Sequence, residues 1–464
     1  MAHPLKLHVV TFGCQMNKLD SEVAAGHLVE AGYVATDSSP EADVILINTC
    51  SVRQHAEDKV WSLLGTLRAR KQQRPGLVIG VIGCMAQKER EHIRERMPHV
   101  DLVCGPMELD RLPALVEEVR QRHGPVLAVG EGHVGHLPRV VARRPNRFQA
   151  FVAIMRGCDN YCAYCVVPTV RGREESRPLA EVAAEVEALV ADGVVEVTLL
   201  GQNVNSYGRT LGGRGNDTRS LLCEAPERAV DGKRLLVSFP LLLRRLDPIA
   251  GLERLRFVTS HPKDATDELF RAMAELPRVC PYLHLPAQSG SNRVLRDMNR
   301  RYTREHYLER IARLRETVPG VEVAGDFIVG FPGETDGEFE ETEDLVRRVE
   351  YQNCFVFKYS PREGTKAAEL PDDVPWATKQ ERNRRLLAVQ KDIMRRRNAA
   401  MVGRVLDVLV EGISPRDPAN LAGRSRANHI VAFPGDGALA GRTVAVSITD
   451  STPLTLLGTL ERQE

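Results

Sequence analysis

The chain has 464 residues, 43% of them hydrophobic and 27% charged, with a formal net charge of +1. At ~150 residues per domain this length predicts about three domains, and the balanced charge excludes a uniformly basic nucleic-acid-binding surface, so any basic patch must be local. The apolar runs are too short to span a bilayer and the first residues lack a signal-peptide pattern, so we expect a cytoplasmic protein without membrane contact whose ten cysteines are reduced.

Three strand-like runs near the start of the chain each end at a cysteine. The runs cover residues 7–13, 43–49 and 77–83, the cysteines are Cys14, Cys50 and Cys84, and helical patterns follow over 20–31, 54–70 and 87–96. Strands that alternate with helices predict a doubly wound parallel sheet. Because the carboxyl ends of parallel strands share one edge, we expect the three cysteines to converge there.

Three converging thiolates predict an iron–sulfur cluster that keeps one iron open. The alternative is that each cysteine is a small buried hydrophobe, but equivalent positions in three repeats favour a ligand set. Cys104 ends a fourth strand and could close that cluster as a fourth ligand. We favour a packed thiol there, because its neighbours in sequence differ from those of the other three turns.

After a basic stretch over 138–148, the chain places Cys158, Cys162 and Cys165 within eight residues. Three thiolates on one loop can hold three irons of a cubane cluster and leave the fourth iron open to bind and reduce a small molecule. A structural zinc site is disfavoured, because zinc normally takes four Cys or His ligands and no fourth ligand lies nearby. A disulfide is disfavoured because nothing indicates export.

The following segment predicts an open (β/α)6 barrel. Strand-like runs begin near residues 151, 194, 255, 282, 321 and 354, and helical patterns cover 178–190, 264–276, 303–318 and 335–349. Barrel chemistry lies at the carboxyl ends of the strands, where five polar, glycine-rich segments occur: 201–203, 260–262, 284–291, 326–334 and 359–365. Each alone could be an ordinary turn, but together they indicate a substrate and cofactor mouth. We interpret His261 and His284 as scaffold residues.

The C-terminal part begins with a basic helix over 379–397, which carries eight basic and two acidic residues. Short alternating strands over 405–410, 429–433, 443–448 and 455–460 then predict a small antiparallel β-barrel. Its turns carry Arg404, Arg424, Arg426 and Arg442. Such arginines favour binding to RNA phosphates, and a protein-interaction module is the alternative.

These motifs resemble those of the radical S-adenosylmethionine methylthiotransferases along the whole chain. The resemblance rests on residues 13–17, 48–53, 83–87, 158–165, 200–207 and 284–291. Gln15-Met16-Asn17 and Ser289 favour the branch that modifies N6-dimethylallyladenosine in tRNA over those that modify ribosomal protein S12 or threonylcarbamoyladenosine. Two features depart from the family: Ala287 replaces a typical Val, and residues 209–236, with Cys223, read as an inserted surface loop.

The resemblance implies three domains. They are a doubly wound parallel sheet over 1–122, a radical S-adenosylmethionine barrel over 144–396 and a small antiparallel TRAM barrel that binds RNA over 397–464. It implies two [4Fe-4S] clusters, on Cys14/Cys50/Cys84 and on Cys158/Cys162/Cys165. The residues expected to contact S-adenosylmethionine are Tyr164, Gly201, Gln202, Asn203, Ser260, Gln288, Asp326 and Gly330.

The activity that the resemblance implies is radical methylthiolation of C2 of dimethylallyladenosine, on the 3′ side of the anticodon in tRNA. The implied partners are the tRNA anticodon arm, a flavodoxin- or ferredoxin-type electron donor and a sulfur source, and we expect a monomer. The first alternative is a sibling enzyme acting on ribosomal protein S12 or on threonylcarbamoyladenosine. A more remote alternative is a non-enzymatic, metal-stabilised RNA-binding protein.

Overall fold

The computed structural model of the chain describes residues 3–51, 54–122, 124–130, 144, 146–210 and 237–461. Most of the basic stretch 138–148, most of the insertion 209–236 with Cys223, and residues 52–53 of the second cysteine motif lie outside these ranges. The chain divides into two compact units. The N-terminal unit comprises residues 1–146, 151–159 and 165–175, and the C-terminal unit comprises residues 147–150, 160–164 and 176–464.

The N-terminal unit is built on a six-stranded sheet. Its strands are β1 (Lys6–Phe12), β2 (Val34–Ala35), β3 (Val44–Thr49), β4 (Val78–Ile82), β5 (Leu102–Cys104) and β6 (Val126–Ala128). Its first helices are α1 (Gln15–Glu30), α2 (Gln54–Gln73), α3 (Cys84–Glu89), α4 (Glu91–Arg96) and α5 (Leu112–Arg122). The strands lie in the order β2-β1-β3-β4-β5-β6, and every neighbouring pair is parallel. The predicted doubly wound parallel sheet is therefore confirmed.

Both faces of this sheet are covered, which explains the continuous apolar runs in its central strands. Every residue of β3 is buried. Val44 and Leu46 pack into one apolar core, whereas Ile45 and Ile47 pack into a second core on the other face. Helix α1 begins five residues before the predicted start at residue 20. Its first turns carry buried polar residues, including Asn17 and Asp20, which hide the apolar period.

The elements of the central segment follow in chain order. The strands are β7 (Gln149–Ala153), β8 (Met155–Arg156), β9 (Glu175–Ser176), β10 (Glu196–Leu200), β11 (Arg254–Phe257), β12 (Tyr282–His284), β13 (Glu322–Val329) and β14 (Asn353–Lys358). The helices are α6 (Val167–Arg171), α7 (Leu179–Ala191), α8 (Phe239–Leu246), α9 (Asp267–Glu275), α10 (Asn292–Asp297), α11 (Arg304–Thr317), α12 (Asp336–Val349) and α13 (Trp376–Ala399). In the C-terminal unit, β10 pairs in parallel with β11, β12 with β13 and β13 with β14.

The last five strands form a closed barrel. They are β15 (Val405–Ile413), β16 (Asn420–Ser425), β17 (Ile430–Pro434), β18 (Thr443–Ser451) and β19 (Leu456–Leu460), in the order β15-β16-β17-β19-β18. The β17–β19 pair is parallel, and the other pairs are antiparallel. The sequence did not predict β16, because its Asn, Gly, Arg and Ser residues have a low strand propensity.

With these elements the predicted α/β class, including the terminal barrel, is confirmed, whereas the exact domain boundaries remain predictions. Among the described helices, none combines the length and the apolar character needed to cross a bilayer.

The barrel is fastened to the rest of the C-terminal unit by two buried arginines of β11. Arg254 Nη1 donates to the Arg424 carbonyl oxygen at 2.7 Å, and Arg256 Nη2 donates to the Ser425 carbonyl oxygen at 2.7 Å. Glu196 accepts from Arg256 Nε at 2.7 Å and offsets the buried charge. Arg426 donates in return to backbone carbonyls of the α9–β12 connection, so it takes part in the barrel attachment. Its contact with RNA stays a prediction.

Gly290→Ala tests how tightly the 284–291 turn packs on α12. A Cβ at Gly290 would lie 2.3 Å from the Glu341 carbonyl oxygen and 2.6 Å from Thr342 Cα. Backbone atoms cannot give way as a flexible side chain can, so we expect a loss of about 1–3 kcal/mol in the free energy of unfolding. The control is Gly337→Ala at the start of α12, where no atom lies within 4 Å. That change should stabilise the protein by about 0.4–1 kcal/mol. Equal unfolding midpoints in denaturant would contradict this packing.

Candidate functional site

The register of the N-terminal sheet aligns the three cysteine turns. Phe12 pairs with Thr49, and Asn48 pairs with Ile82, so β1, β3 and β4 end at the same edge. The turn after β1 passes through Gly13 at φ +136°, where a Cβ would lie 3.0 Å from Cys50 Sγ. A side chain at residue 13 would therefore push Cys50 away from the turn that carries Cys14.

A buried asparagine holds these turns together. Asn48 Nδ2 donates to the Asn17 carbonyl oxygen at 2.8 Å and to Ser21 Oγ at 2.9 Å. Asn48 Oδ1 accepts from Asn17 Nδ2 at 3.1 Å, while Asn17 Oδ1 accepts from the Cys14 thiol at 3.1 Å. Gly83 leaves the space for this amide, since a Cβ there would lie 2.2 Å from Asn48 Oδ1. One side chain thus links the turns that lead to Cys14, Cys50 and Cys84.

Cys84 contacts a buried ion pair. Its Sγ accepts from Arg171 Nε at 3.2 Å, and Arg171 Nη2 donates to Asp20 Oδ2 at 2.5 Å. Burial raises the pKa of the Cys84 thiol to about 11, and the charge of Arg171 opposes that rise. A Cys14 thiolate would raise the pKa of Cys84 further. The two thiols are therefore close enough to interact electrostatically.

The donor set of the N-terminal unit fits the predicted cluster. Soft thiolates are the ligands that iron–sulfur clusters take, and the positive charge of Arg171 compensates part of their negative charge. Within the described ranges, no three Cys, His, Asp or Glu side chains converge on one point that would hold a single ion. Each cysteine of a cubane binds a different iron, so the ligands need not converge. Cys104, at the end of β5, lies instead in the apolar core that includes Leu112 and Val116 of α5, as a packed thiol.

The Cys158–Cys165 loop begins at a glycine that no other residue could replace. Gly157 has φ +68°, and a Cβ there would lie 1.9 Å from the Arg173 carbonyl oxygen. Cys158 is buried, and its backbone N–H donates to the Gly172 carbonyl oxygen at 3.3 Å. The chain passes this loop again at residues 172–173, and these residues hold Cys158 in place.

Cys162 and Tyr164 lie close to Arg300, a buried arginine of the C-terminal unit. Arg300 Nη1 lies 3.4 Å from Cys162 Sγ and 3.5 Å from Tyr164 Oη. Arg300 Nη2 also donates to the Pro286 carbonyl oxygen at 2.8 Å. Burial lowers the pKa of Arg300, but Tyr164, Tyr302 and Cys162 raise it by more, so the guanidinium stays charged. It can therefore stabilise negative charge on a ligating Cys162.

The carboxyl ends of β10 to β13 bring most of the predicted cofactor residues together. Ser260 N–H donates to the His284 carbonyl oxygen at 3.2 Å, and Gln288 N–H donates to the Asp326 carbonyl oxygen at 2.8 Å. Asp326 Oδ2 lies 3.3 Å from His284 Nε2. Gln288 takes φ +75°, a conformation that is strained for a non-glycine residue and that the surrounding structure must hold in place.

This edge also carries buried polar atoms that lack a hydrogen-bond partner among the described residues. They are Gln202 Oε1, Asn203 Oδ1, both amide atoms of Asn205, Ser260 Oγ and His261 Nε2. Buried polar atoms are normally paired, so their concentration at one rim indicates a polar ligand. A ligand with amino, carboxylate and hydroxyl groups, as S-adenosylmethionine has, fits this set of donors and acceptors.

The remaining predicted residues have other surroundings. Asn203 Nδ2 donates to Asp264 Oδ2 at 2.7 Å, and Gly201 directly follows β10. Gly330 N–H donates to Glu334 Oε2 at 2.6 Å, and a Cβ at Gly330 would lie 2.4 Å from Lys379 Cγ. Gly330 is therefore required by the close approach of α13. Contact of these residues with S-adenosylmethionine remains a prediction.

The scaffold interpretation of His261 agrees with its contacts. Its Nδ1 accepts from the Lys263 N–H at 3.3 Å, and its ring packs edge-on against Tyr302. Burial, aided by Arg300 and Lys263, lowers the pKa of His261 far below the usual value, so the ring is neutral and cannot act as a general acid at neutral pH.

Sequence reasoning missed the buried charges that contact the cysteines: Asp20, Arg171 and Arg300. Asp20 lies within a helical pattern, and Arg171 and Arg300 lie in arginine-rich stretches that read as exposed. A usable signal was the position of Arg171, six residues after Cys165 and next to Gly172.

Glu22 on α1 gives a pH-dependent test of this part of the structure. Burial raises the pKa of Glu22 to about 7, although Arg144 and Lys18 oppose the rise. The folded state then binds a proton that the unfolded state releases above pH ~4.5. The stability conferred by protonated Glu22 is present at pH 4.5 and is lost as the pH rises to 7.

We therefore expect Glu22→Gln to be more stable than the parent at pH 8, by up to about 3 kcal/mol, with the difference vanishing toward pH 5. Thermal unfolding from pH 5 to pH 8 measures it. Glu30→Gln, which removes an exposed carboxylate from the same helix, is the control. A pH-independent difference for Glu22→Gln would contradict the expected titration.

Three family models match successive segments of the chain. Residues 6–105 match the Uncharacterized protein family UPF0004, residues 152–346 the Radical SAM superfamily and residues 399–460 the TRAM domain. Among solved structures, the radical S-adenosylmethionine methyltransferase TsrM from Kitasatospora setae superposes with a TM-score of 0.53 at 14% identity, covering 79% of this chain and 77% of that one. The cobalamin-dependent S-adenosylmethionine radical enzyme OxsB superposes with a TM-score of 0.51 at 12% identity, covering 84% and 56%. These two likenesses show the fold alone.

Curated relatives match over nearly the full length. The tRNA-2-methylthio-N(6)-dimethylallyladenosine synthase of Moorella thermoacetica is 48% identical over 97% of this chain and 97% of its own length. The protein of the same name from Desulforamulus reducens is 45% identical over 98% and 95%. The chain therefore belongs to the family of tRNA-2-methylthio-N(6)-dimethylallyladenosine synthases within the radical S-adenosylmethionine superfamily.

Proposed function

We propose that this chain converts N6-dimethylallyladenosine in tRNA to its 2-methylthio derivative. The observation that carries the proposal is the presence of two cysteine trios, one at the sheet edge of the N-terminal unit and one on the loop after β8. A single trio would serve an enzyme that only cleaves S-adenosylmethionine. A second trio of soft thiolates supplies a separate place from which sulfur can be delivered.

The reaction needs cofactors because C2–H of an adenine ring is too weak an acid for any side-chain base. When bound, S-adenosylmethionine and the two [4Fe-4S] clusters supply hydrogen abstraction, sulfur and the methyl group. Cys158, Cys162 and Cys165 would hold one cluster, and the trio Cys14, Cys50 and Cys84 would hold the other.

The chain itself orients the reactants and keeps water out. The buried, unpaired oxygens of Gln202 and Ser260 would bind the polar groups of S-adenosylmethionine. Arg300 balances the charge of Cys162, and the neutral ring of His261 avoids adding a second positive charge beside it. The buried environment of these groups strengthens each electrostatic contact.

The RNA partner is the tRNA anticodon arm. The target base lies on the 3′ side of the anticodon, in a single-stranded loop from which a base can be splayed into a protein site. The C-terminal barrel and the exposed arginines of α13, among them Arg395 and Arg396, would contact phosphates. The proposal includes a flavodoxin- or ferredoxin-type electron donor, a sulfur source, a cytoplasmic location and a monomeric enzyme.

Two variants separate the roles of the two trios. Cys158→Ala should abolish cleavage of S-adenosylmethionine to 5′-deoxyadenosine, whereas Cys14→Ala should retain cleavage and lose methylthiolation of tRNA. Anaerobically reconstituted parent should hold about eight irons, and each variant about four, because a cubane contains four. Cys104→Ala removes a thiol packed in the core and serves as the control, with iron content and both activities retained. Equal loss of both activities in Cys14→Ala would contradict the division of roles.

Mass analysis of digested tRNA from a deletion strain tests the substrate. We expect the 2-methylthio group on dimethylallyladenosine to disappear and to return with the plasmid-borne gene. Persistence of that modification, with loss of the methylthio group on threonylcarbamoyladenosine or on ribosomal protein S12, would favour the sibling activities. Absence of deoxyadenosine formation by the reduced, reconstituted parent would favour the non-enzymatic RNA-binding alternative.

A further inference from the structure

Helix α6 starts two residues after Cys165 and packs against Cys84 of the other cysteine trio, within the N-terminal unit. Val166, just before α6, and Val170, within it, form an apolar cluster with Cys84, and the helix ends at Arg171. Gly172 then turns the chain away with φ +74°. The six residues after Cys165 therefore lead from one ligand loop to Arg171, which contacts Cys84 of the other trio.

The side chain of Arg171 is also held in place by a buried ion pair with Asp20. Its side chain is 4% exposed, and its partner Asp20 is fully buried. Arg156 Nη2 lies 3.8 Å from the other oxygen of Asp20. A buried guanidinium is costly unless it is paired, and here one carboxylate faces two arginines. The guanidinium of Arg171 places positive charge beside Cys84, which suits an anionic occupant.

Two N–H donors of Arg171 differ in whether they have an acceptor. Nε donates to Cys84 Sγ at 3.2 Å, whereas Nη1 is buried and has no hydrogen-bond partner among the described residues. A buried guanidinium N–H that lacks an acceptor indicates that an acceptor belongs at the site. The sulfur atoms of a cluster held by Cys14, Cys50 and Cys84 would be such acceptors.

We propose that Arg171 is a positioning residue that sets the reduction potential of the cluster held by Cys14, Cys50 and Cys84. The inference rests on the proposed function, because it requires a cluster at that site. Hydrogen bonds to cluster sulfurs are among the factors that set its potential. Reduction adds one electron and therefore negative charge, which the N–H groups and the charge of Arg171 stabilise. The potential is thereby raised, and Asp20 keeps the guanidinium oriented.

The test uses the full-length chain with Cys158→Ala, so that only the N-terminal cluster remains. The protein is reconstituted anaerobically, its iron is counted, and its cluster is titrated with dithionite, which donates the one electron per cluster; no bond breaks and no proton moves in this step. The midpoint potential is followed by electron paramagnetic resonance. Arg171→Gln removes the charge and both N–H donors, and Arg171→Lys keeps the charge but loses the directed Nε–H.

We expect Arg171→Gln to retain about four irons and to show a lower midpoint potential. Loss of a charge-assisted hydrogen bond should shift the reduction equilibrium at least tenfold, which for a one-electron couple equals about 59 mV. Arg171→Lys should shift it in the same direction by less. The control is Arg382→Gln, which removes another buried arginine, one that pairs with the carboxylates of Glu334 and Asp336. Its potential should equal that of the parent.

Three outcomes would overturn the inference. An unchanged potential in an iron-loaded Arg171→Gln protein does so directly. If Arg171→Gln loses its iron, the test passes to Arg171→Lys, and a potential equal to that of the parent then overturns it. An equal shift in Arg382→Gln would show a general effect of losing buried charge. A Cys158→Ala parent that holds no iron would instead overturn the proposed function itself, which separates the two failures.

Discussion

Parallel pairing in register is the constraint on which the N-terminal site depends. Three cysteines separated by more than thirty residues can act together only if β1, β3 and β4 end at one edge, as the pairing of Phe12 with Thr49 and of Asn48 with Ile82 requires. A slip of one residue would turn every side chain of a strand to the opposite face. The buried amide of Asn48 makes such a slip costly, because its hydrogen bonds would be left unmade inside the sheet.

In each of the two cysteine trios, one cysteine contacts a buried arginine. Arg171 reaches Cys84 and Arg300 reaches Cys162, and each guanidinium is anchored by a second acceptor, Asp20 or the Pro286 carbonyl oxygen. Thiolates in a low-dielectric interior need compensating charge. An arginine suits this role better than a lysine, because its planar fork can serve a sulfur and an anchor at the same time.

Arginines on both sides of the contact between β11 and the C-terminal barrel attach the barrel to the rest of its unit. Arg254 and Arg256 of β11 reach into the barrel backbone, and Arg426 reaches back to carbonyls before β12. Arg426 is thereby committed to the protein. The proposed contacts with RNA would therefore fall to the more exposed arginines of α13 and of the remaining barrel turns. One of these is Arg424, which pairs with Glu411 at 3.2 Å and donates to Asn428 Oδ1 at 3.3 Å.

The sequence by itself determined the α/β class, the ends of most strands and the grouping of the cysteines. These are local signals: apolar runs of strand length, glycines such as Gly13 and Gly83 at tight turns, and cysteines at fixed spacing. It did not reveal β16, whose residues have low strand propensity and are held by neighbouring barrel strands. Nor could it separate buried arginines from exposed ones, because the charge of Arg171 is tolerated only once folding brings Asp20 beside it from 151 residues away. Tertiary structure alone decided which charges face the thiols, since that depends on distances between segments that no local pattern encodes.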